Sequence, residues 1–106
     1  MFAAALRRLA EKHPSVGEVR GLGCFWGLEL VKNRETREPL VPFNATGEAV
    51  KPVAALMKRA LERGVYLMTH WNVVMVCPPL TITREELDEG IATLDDALSV
   101  ADEFCD

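Results

Sequence analysis

The feature that most constrains the fold is the stretch CPPLTITREELDEGIATLDDAL, in which two prolines are followed by a capped amphipathic helix. Pro78 and Pro79 lack the backbone N–H that a strand ladder needs, so they end any strand before them. Thr83 precedes Glu86 by three residues, which is the spacing of a capping box at a helix start. After this start, apolar side chains recur with the period of one helix face at Leu87, Ile91, Leu94 and Leu98. The sequence therefore predicts a strand, a turn and a closing helix.

Two further helices are predicted earlier in the chain. The first spans Phe2–Lys12, and His13-Pro14 ends it because a residue before proline avoids helical geometry. The second spans Pro52–Arg63, with proline in its first turn and Gly64 as a C-terminal stop. No capping residue stands ahead of the first helix, so we expect that a further segment of protein precedes it.

Glycines interrupt a strand-like stretch between Val16 and Val31. Within this stretch, the alternation along Cys24–Val31 predicts one strand. Gly27 in the interior of that strand indicates a bulge or a close approach by other backbone. The side chains expected to share one face of the strand are those of Trp26, Leu28 and Leu30.

Two shorter strands are predicted at Val65–Met68 and Val73–Val76, with Thr69–Asn72 as the hairpin loop between them. The polar segment Lys32–Glu48 is long for a loop in such a small domain, so we expect it to pack against something else. The order of elements predicts a single α+β domain over residues 1–106. Its sheet is expected to be small and antiparallel, with about three strands and with helices packed on one face.

Composition limits the partners and the compartment. The formal net charge is −4 and there is no basic patch, so we expect no nucleic-acid partner. No apolar run reaches the roughly 18 residues that span a bilayer, so we expect no membrane partner. Cys24, Cys77 and Cys105 are odd in number and widely spaced. That pattern favours a reducing cytoplasm over a disulfide framework, and it gives no spacing for a metal site.

The residues alone offer no catalytic constellation. The glycine-rich RGLG does not lead from a strand into a helix, which disfavours a phosphate-binding loop. His70 has no acidic partner in its predicted loop, and Cys77 has no neighbour that would make it a thiolate. Arg20 can bind a carboxylate, although pairing with Glu18 or another neighbouring carboxylate is the simpler account. We therefore assign no catalytic residue to this chain.

Two stretches carry a resemblance to a known family. The first is HPSVGEVRGLGCFWGLELVKNRETREPL, from His13 to Leu40. The second is NVVMVCPPLTITREELDEGIATLDDAL, from Asn72 to Leu98, with its Pro-Pro-Leu turn, Thr-Ile-Thr and closing helix. In this order they resemble the opening and the end of the small C-terminal domain of class III pyridoxal-phosphate-dependent aminotransferases, which have the fold type I architecture. The resemblance covers nearly the whole chain.

The resemblance implies an enzyme that moves an amino group from an amine or ω-amino acid to a keto acid such as pyruvate. In this family a large domain holds pyridoxal phosphate and the Schiff-base lysine, and two subunits form a homodimer. That large domain is the expected partner here. We expect the present chain to bind no cofactor alone and to be inactive alone.

The resemblance also places part of the substrate site. Many family members have an arginine in the strand before Pro-Pro-Leu that grips a substrate carboxylate by two hydrogen bonds. This chain has Met75 at the matching position, which puts that carboxylate grip in doubt. Met75, Cys77 and Arg20 are the expected substrate-side residues.

Two alternatives of other classes stay open. A free-standing, non-catalytic module would dimerise or bind a partner through the surface that the large domain otherwise covers. A small metabolite-binding regulatory domain is a third interpretation, which no ligand-specific residue supports.

Overall fold

The chain folds into two layers, a sheet and a set of helices. The computed structural model describes residues 2–22, 25–42, 46–78 and 81–105, without the side chain of Phe2. Cys24 of the predicted strand and Pro79 of the predicted turn lie outside the described residues. The described helices are α1 (Phe2–Lys12), α2 (Lys51–Glu62) and α3 (Arg84–Asp102). The described strands are β1 (Val16–Leu22), β2 (Phe25–Asn33), β3 (Glu38–Pro39), β4 (Met68–His70) and β5 (Val73–Val76).

All the described strand pairs are antiparallel, and β2 lies at the centre of the sheet. The strand order is β1-β2-β5-β4, and β3 pairs with the end of β2. The predicted α+β class with a small antiparallel sheet is therefore confirmed. The sheet is larger than expected, because five strands are described rather than about three.

Strand β1 is the main element that the sequence reasoning missed. Its glycines are poor strand formers, which concealed it, but packing requires them. A Cβ atom at Gly21 would lie 2.5 Å from the Trp26 ring, and one at Gly17 would lie 2.5 Å from Val31 Cγ1. The glycines therefore let β1 lie directly beside the large side chains of β2.

One predicted strand and one predicted loop differ from the structure. The strand predicted at Val65–Met68 is instead β4, Met68–His70, so the hairpin loop shortens to Trp71 and Asn72. The long loop after β2 contains β3 and one turn of 3-10 helix at Gly47–Val50, which leads directly into α2. The ends of the predicted strand shifted by two to three positions, and element ends are where sequence signals are weakest.

The helices form as predicted. Thr83 caps α3, since its hydroxyl accepts a hydrogen bond from the Glu86 backbone while the Glu86 carboxylate accepts one from the Thr83 backbone. Gly64 ends α2 with a φ of 85°, which suits glycine. Within the described ranges, no helix combines the length and the apolarity that a bilayer crossing requires.

The core lies between the inward face of the sheet and the helices. Trp26, Leu28 and Leu30 point inward from β2, as predicted. They meet α1, α2 and α3 through a set of buried residues that includes Leu6, Leu9, Val53, Leu56, Leu94 and Leu98. Burial of these apolar side chains is the main force that holds the two layers together.

A buried histidine ties the start of the chain to its end. His13 follows α1 and is 2% exposed, and each of its ring nitrogens lies 2.5 Å from a carboxylate oxygen of α3. These oxygens belong to Asp95 and Asp102. Ser15 donates from both its backbone N–H and its hydroxyl to Asp102. We call these four residues the His13 clip, and it fixes the α1–β1 junction against α3.

The two histidines of the chain offer a matched test of this clip. Replacing His13→Ala leaves two carboxylates facing a void, and we expect a loss of roughly 2 kcal/mol or more in the free energy of unfolding. Replacing His70→Ala, at an exposed site stacked on Trp71, should cost less than about 1 kcal/mol. Urea unfolding measures both variants, and equal losses would contradict the assigned role of the clip.

The clip also predicts an acid dependence. A hydrogen bond from Lys12, followed by the one from His13, lowers the pKa of Asp95 from its ordinary 3.8, against the opposing effect of desolvation. A carboxyl with a lowered folded pKa stabilises the fold above its unfolded pKa, and this contribution disappears as pH falls through the folded value. Below about pH 4 the unfolding free energy should fall less steeply in Asp95→Asn than in the wild type. Parallel slopes in urea titrations across this range would show that Asp95 carries no such linkage.

Candidate functional site

The face of the sheet that points away from the helices carries the candidate site. Residues paired across neighbouring strands lie on the same face of a sheet. One row of paired residues crosses all four main strands and consists of Arg20, Gly27, Met75 and Met68. The next row consists of Glu18, Glu29, Val73 and His70. We call this surface the outer face.

A groove of about 400 Å³ lies on the outer face above Gly27. Gly27 does not form the bulge or the close backbone approach expected of it, because its pairing with both neighbours is regular. A Cβ atom added there would meet only Val73 Cγ1 at 3.5 Å, which is ordinary contact. The missing side chain therefore leaves a hollow in the middle of the row. The groove is bordered by Arg20, Phe25, His70, Trp71, Val73 and Met75.

Arg20 lies at one end of this groove, and its guanidinium already forms ion pairs within the chain. Its Nη1 atom lies 2.6 Å from Glu18 Oε2 and 2.6 Å from Glu29 Oε2. The hydrogen bond to Glu29 is the main reason that the pKa of the Arg20 guanidinium is raised, so Arg20 stays a cation. A substrate carboxylate would have to compete with two protein carboxylates for this group.

The β4–β5 turn forms another border of the groove. Trp71 has a φ of 53°, a left-handed conformation that glycine, asparagine or aspartate usually supplies in a two-residue hairpin loop. The turn is held in place because the Asn72 carbonyl accepts from Leu30 N–H while the Asn72 side chain donates to the Leu30 carbonyl. His70 stacks on Trp71 with ring centroids 4.1 Å apart. The turn therefore presents a fixed aromatic pair to the groove.

The three predicted substrate-side residues do not share one groove. Arg20 and Met75 border the groove over Gly27. Cys77 is exposed, its thiol is free, and it borders a second groove of about 380 Å³ between the end of β5 and α3. Met75 lies at the boundary of both grooves and is the residue common to them.

Three large apolar side chains of the outer face are exposed. Leu22, Phe25 and Met68 are 85%, 61% and 60% exposed, and all three lie on the outer face. Leu22 and Phe25 are paired across β1 and β2, so they form one exposed apolar patch, and such a patch often marks a contact with a ligand or with another protein surface.

This surface was not predicted from the sequence. Gly27 was expected to mark a bulge or a close backbone approach, and His70 was expected in a hairpin loop without an acidic partner. The alternation of Phe25, Gly27 and Glu29 on one side of β2 was the available signal, because it placed a glycine between larger outward residues. Among the described residues, no cluster of histidine, cysteine and acidic side chains could hold a metal ion.

Comparison with known proteins places the chain in a family. A family model described as Aminotransferase class-III matches residues 1–98. The chain belongs to the class III aminotransferase family.

Three relatives illustrate the extent of the match. Taurine:2-oxoglutarate aminotransferase from Bifidobacterium kashiwanohense, solved in complex with PLP and glutamate, superposes with a TM-score of 0.84 at 38% identity, covering 95% of this chain and 22% of that one. Ethanolamine-phosphate phospho-lyase homolog 1 from Caenorhabditis elegans is 36% identical over 91% of this chain and 20% of its own length. Taurine–pyruvate aminotransferase from Bilophila wadsworthia is 34% identical over 92% of this chain and 21% of its own length. The chain thus spans about a fifth of the length of the relatives it matches.

The ion pairs of Arg20 with Glu18 and Glu29 lead to a stability prediction. Because its side chain is 55% exposed, replacing Arg20→Gln should lower the free energy of unfolding by less than about 1 kcal/mol, and less at high salt. Urea unfolding at low and high salt measures the change. A loss of more than about 2 kcal/mol would mean that Arg20 supports the fold, which would leave its position on the groove without functional meaning.

Proposed function

We propose that this chain is the C-terminal domain of a pyridoxal-phosphate-dependent aminotransferase that moves an amino group from an amine or ω-amino acid to a keto acid such as pyruvate. The observation that carries the proposal is the family match over residues 1–98. Two relatives that are named for transfer between taurine and pyruvate or 2-oxoglutarate support this chemistry. The relative named as a phospho-lyase homolog makes lyase chemistry the competing outcome of an assay.

The cofactor is proposed to bind outside this chain. Pyridoxal phosphate enzymes hold the cofactor through a lysine amine, and no lysine lines the groove over Gly27 or the groove beside Cys77 in the described part of the chain. The one guanidinium at the groove, that of Arg20, is engaged by two carboxylates. The described residues therefore do not suit the cofactor. We infer that the chain alone is inactive.

The outer face is proposed to lie against the rest of the enzyme and its substrate cleft. Its exposed apolar residues support this placement, because contact with another protein surface would remove Leu22, Phe25 and Met68 from water, which is energetically favourable. The short share of each relative that the chain spans supports the existence of a larger partner domain. We further propose that the whole enzyme is a cytoplasmic homodimer.

In this arrangement the chain's residues bind and orient rather than react. Met75, at the centre of the outer face, would contact the nonpolar body of the amine donor. Cys77 would border the same cleft on the side of α3. Arg20, which is fixed by hydrogen bonds to Glu18 and Glu29, would border the opposite end of the groove. Together they would shield one wall of the cleft from water.

The proposal is tested on the full-length polypeptide that contains this chain, supplied with pyridoxal phosphate, pyruvate and a panel of amine donors. Alanine should form together with the carbonyl product of the donor, and the isolated 106-residue chain should form none. A full-length protein that releases phosphate or racemises amino acids, yet transfers no amino group, would overturn the proposal.

The Met75 placement predicts a change in donor preference. In the full-length enzyme, Met75→Arg should raise kcat/KM for donors that carry a carboxylate, relative to amines of similar size without one, by about tenfold or more. The reason is that a charge-assisted hydrogen bond contributes about 1.5–3 kcal/mol. Leu61→Arg, at a 60% exposed position on α2, is the matched control and should leave the ratio unchanged. The ratio of kcat/KM between paired donors is the measurement. An unchanged ratio in an otherwise active Met75→Arg enzyme would remove Met75 from the substrate site.

A further inference from the structure

Gly27 differs from the other glycines of the sheet. Gly17 and Gly21 have no room for a Cβ atom, so packing explains them. Gly27 has room, and its φ lies outside the left-handed region that favours glycine. Neither packing nor backbone conformation requires glycine at this position, and strands ordinarily favour larger residues. The consequence of the glycine is the hollow itself.

The lining of the hollow indicates what it can receive. Phe25, Val73 and Met75 supply apolar walls, and Trp71 borders it from a turn anchored to β2. The Arg20 guanidinium is held by two carboxylates at 2.6 Å each, so it is poorly placed to pair with a charged occupant. The apolar lining and the already paired Arg20 together favour a nonpolar group.

We infer that Gly27 is a specificity-determining residue that sets the size of the nonpolar group that an amine donor can place against the sheet. This inference rests on the proposed function. The hollow floor at Gly27 lies beside Met75 in the same row of the outer face, so one nonpolar substituent can contact both residues. A side chain at position 27 would fill the hollow from below while the strand pairing stays intact.

The test uses the full-length enzyme with Gly27→Ala and Gly27→Val. The donors are primary amines of increasing bulk, with pyruvate as acceptor. We expect kcat/KM for the bulkiest donors to fall stepwise, by at least tenfold in Gly27→Val, mainly through a rise in KM. The smallest donors should lose much less kcat/KM than the bulkiest donors in both variants.

A matched substitution in the helical layer controls for effects on folding and stability that do not involve the groove. Ala54→Val adds a branched side chain at an exposed position of α2 and should leave the donor profile unchanged. Cofactor absorbance and native mass are measured for every variant. A uniform loss of kcat/KM for all donors, with released cofactor or altered assembly, would mean that another part of the enzyme packs into the hollow. An unchanged donor profile would mean that nothing occupies the hollow. Either result overturns the inference, whereas a wild-type enzyme without amino transfer overturns the proposed function itself.

Discussion

The alternation of side chains along β2 is the constraint on which both faces of this domain depend. β2 pairs with β1, β3 and β5, so its register sets the register of the sheet. A slip by one residue would exchange the buried Trp26, Leu28 and Leu30 for the outward Phe25, Gly27 and Glu29. The same alternation thus produces the core on one side and the groove on the other.

The His13 clip supplies the second constraint, between elements far apart in sequence. His13 and Ser15 contact Asp95 and Asp102 across more than 80 residues of chain. This contact sets the position of α3 over the sheet, and α3 in turn forms one side of the groove beside Cys77. The polar contacts at the α1–β1 junction therefore help to position the helix that borders this groove.

Local signals explain which parts of the fold could be predicted. The capping box of α3, the glycine stop of α2 and the inward face of β2 depend on residues a few positions apart, and all three were predicted correctly. Strand β1 was missed because its glycines are explained only by contact with Trp26 and Val31 on a neighbouring strand. The hollow over Gly27 was missed for the same reason, since four strands must be aligned before the gap exists. Arg20 was interpreted correctly as a paired residue, but its second partner, Glu29, becomes its neighbour only through the β1–β2 pairing.

We propose that this domain works as one part of a longer class III enzyme, with its outer face against the rest of that enzyme. The family match, the small share of each relative that the chain spans and the exposed apolar residues of the outer face support this proposal. The most direct test is the intact mass of the polypeptide that carries this sequence in its source cells. We expect a chain several times longer than 106 residues, whereas a polypeptide of these 106 residues alone would contradict the proposal and would favour a free-standing binding module.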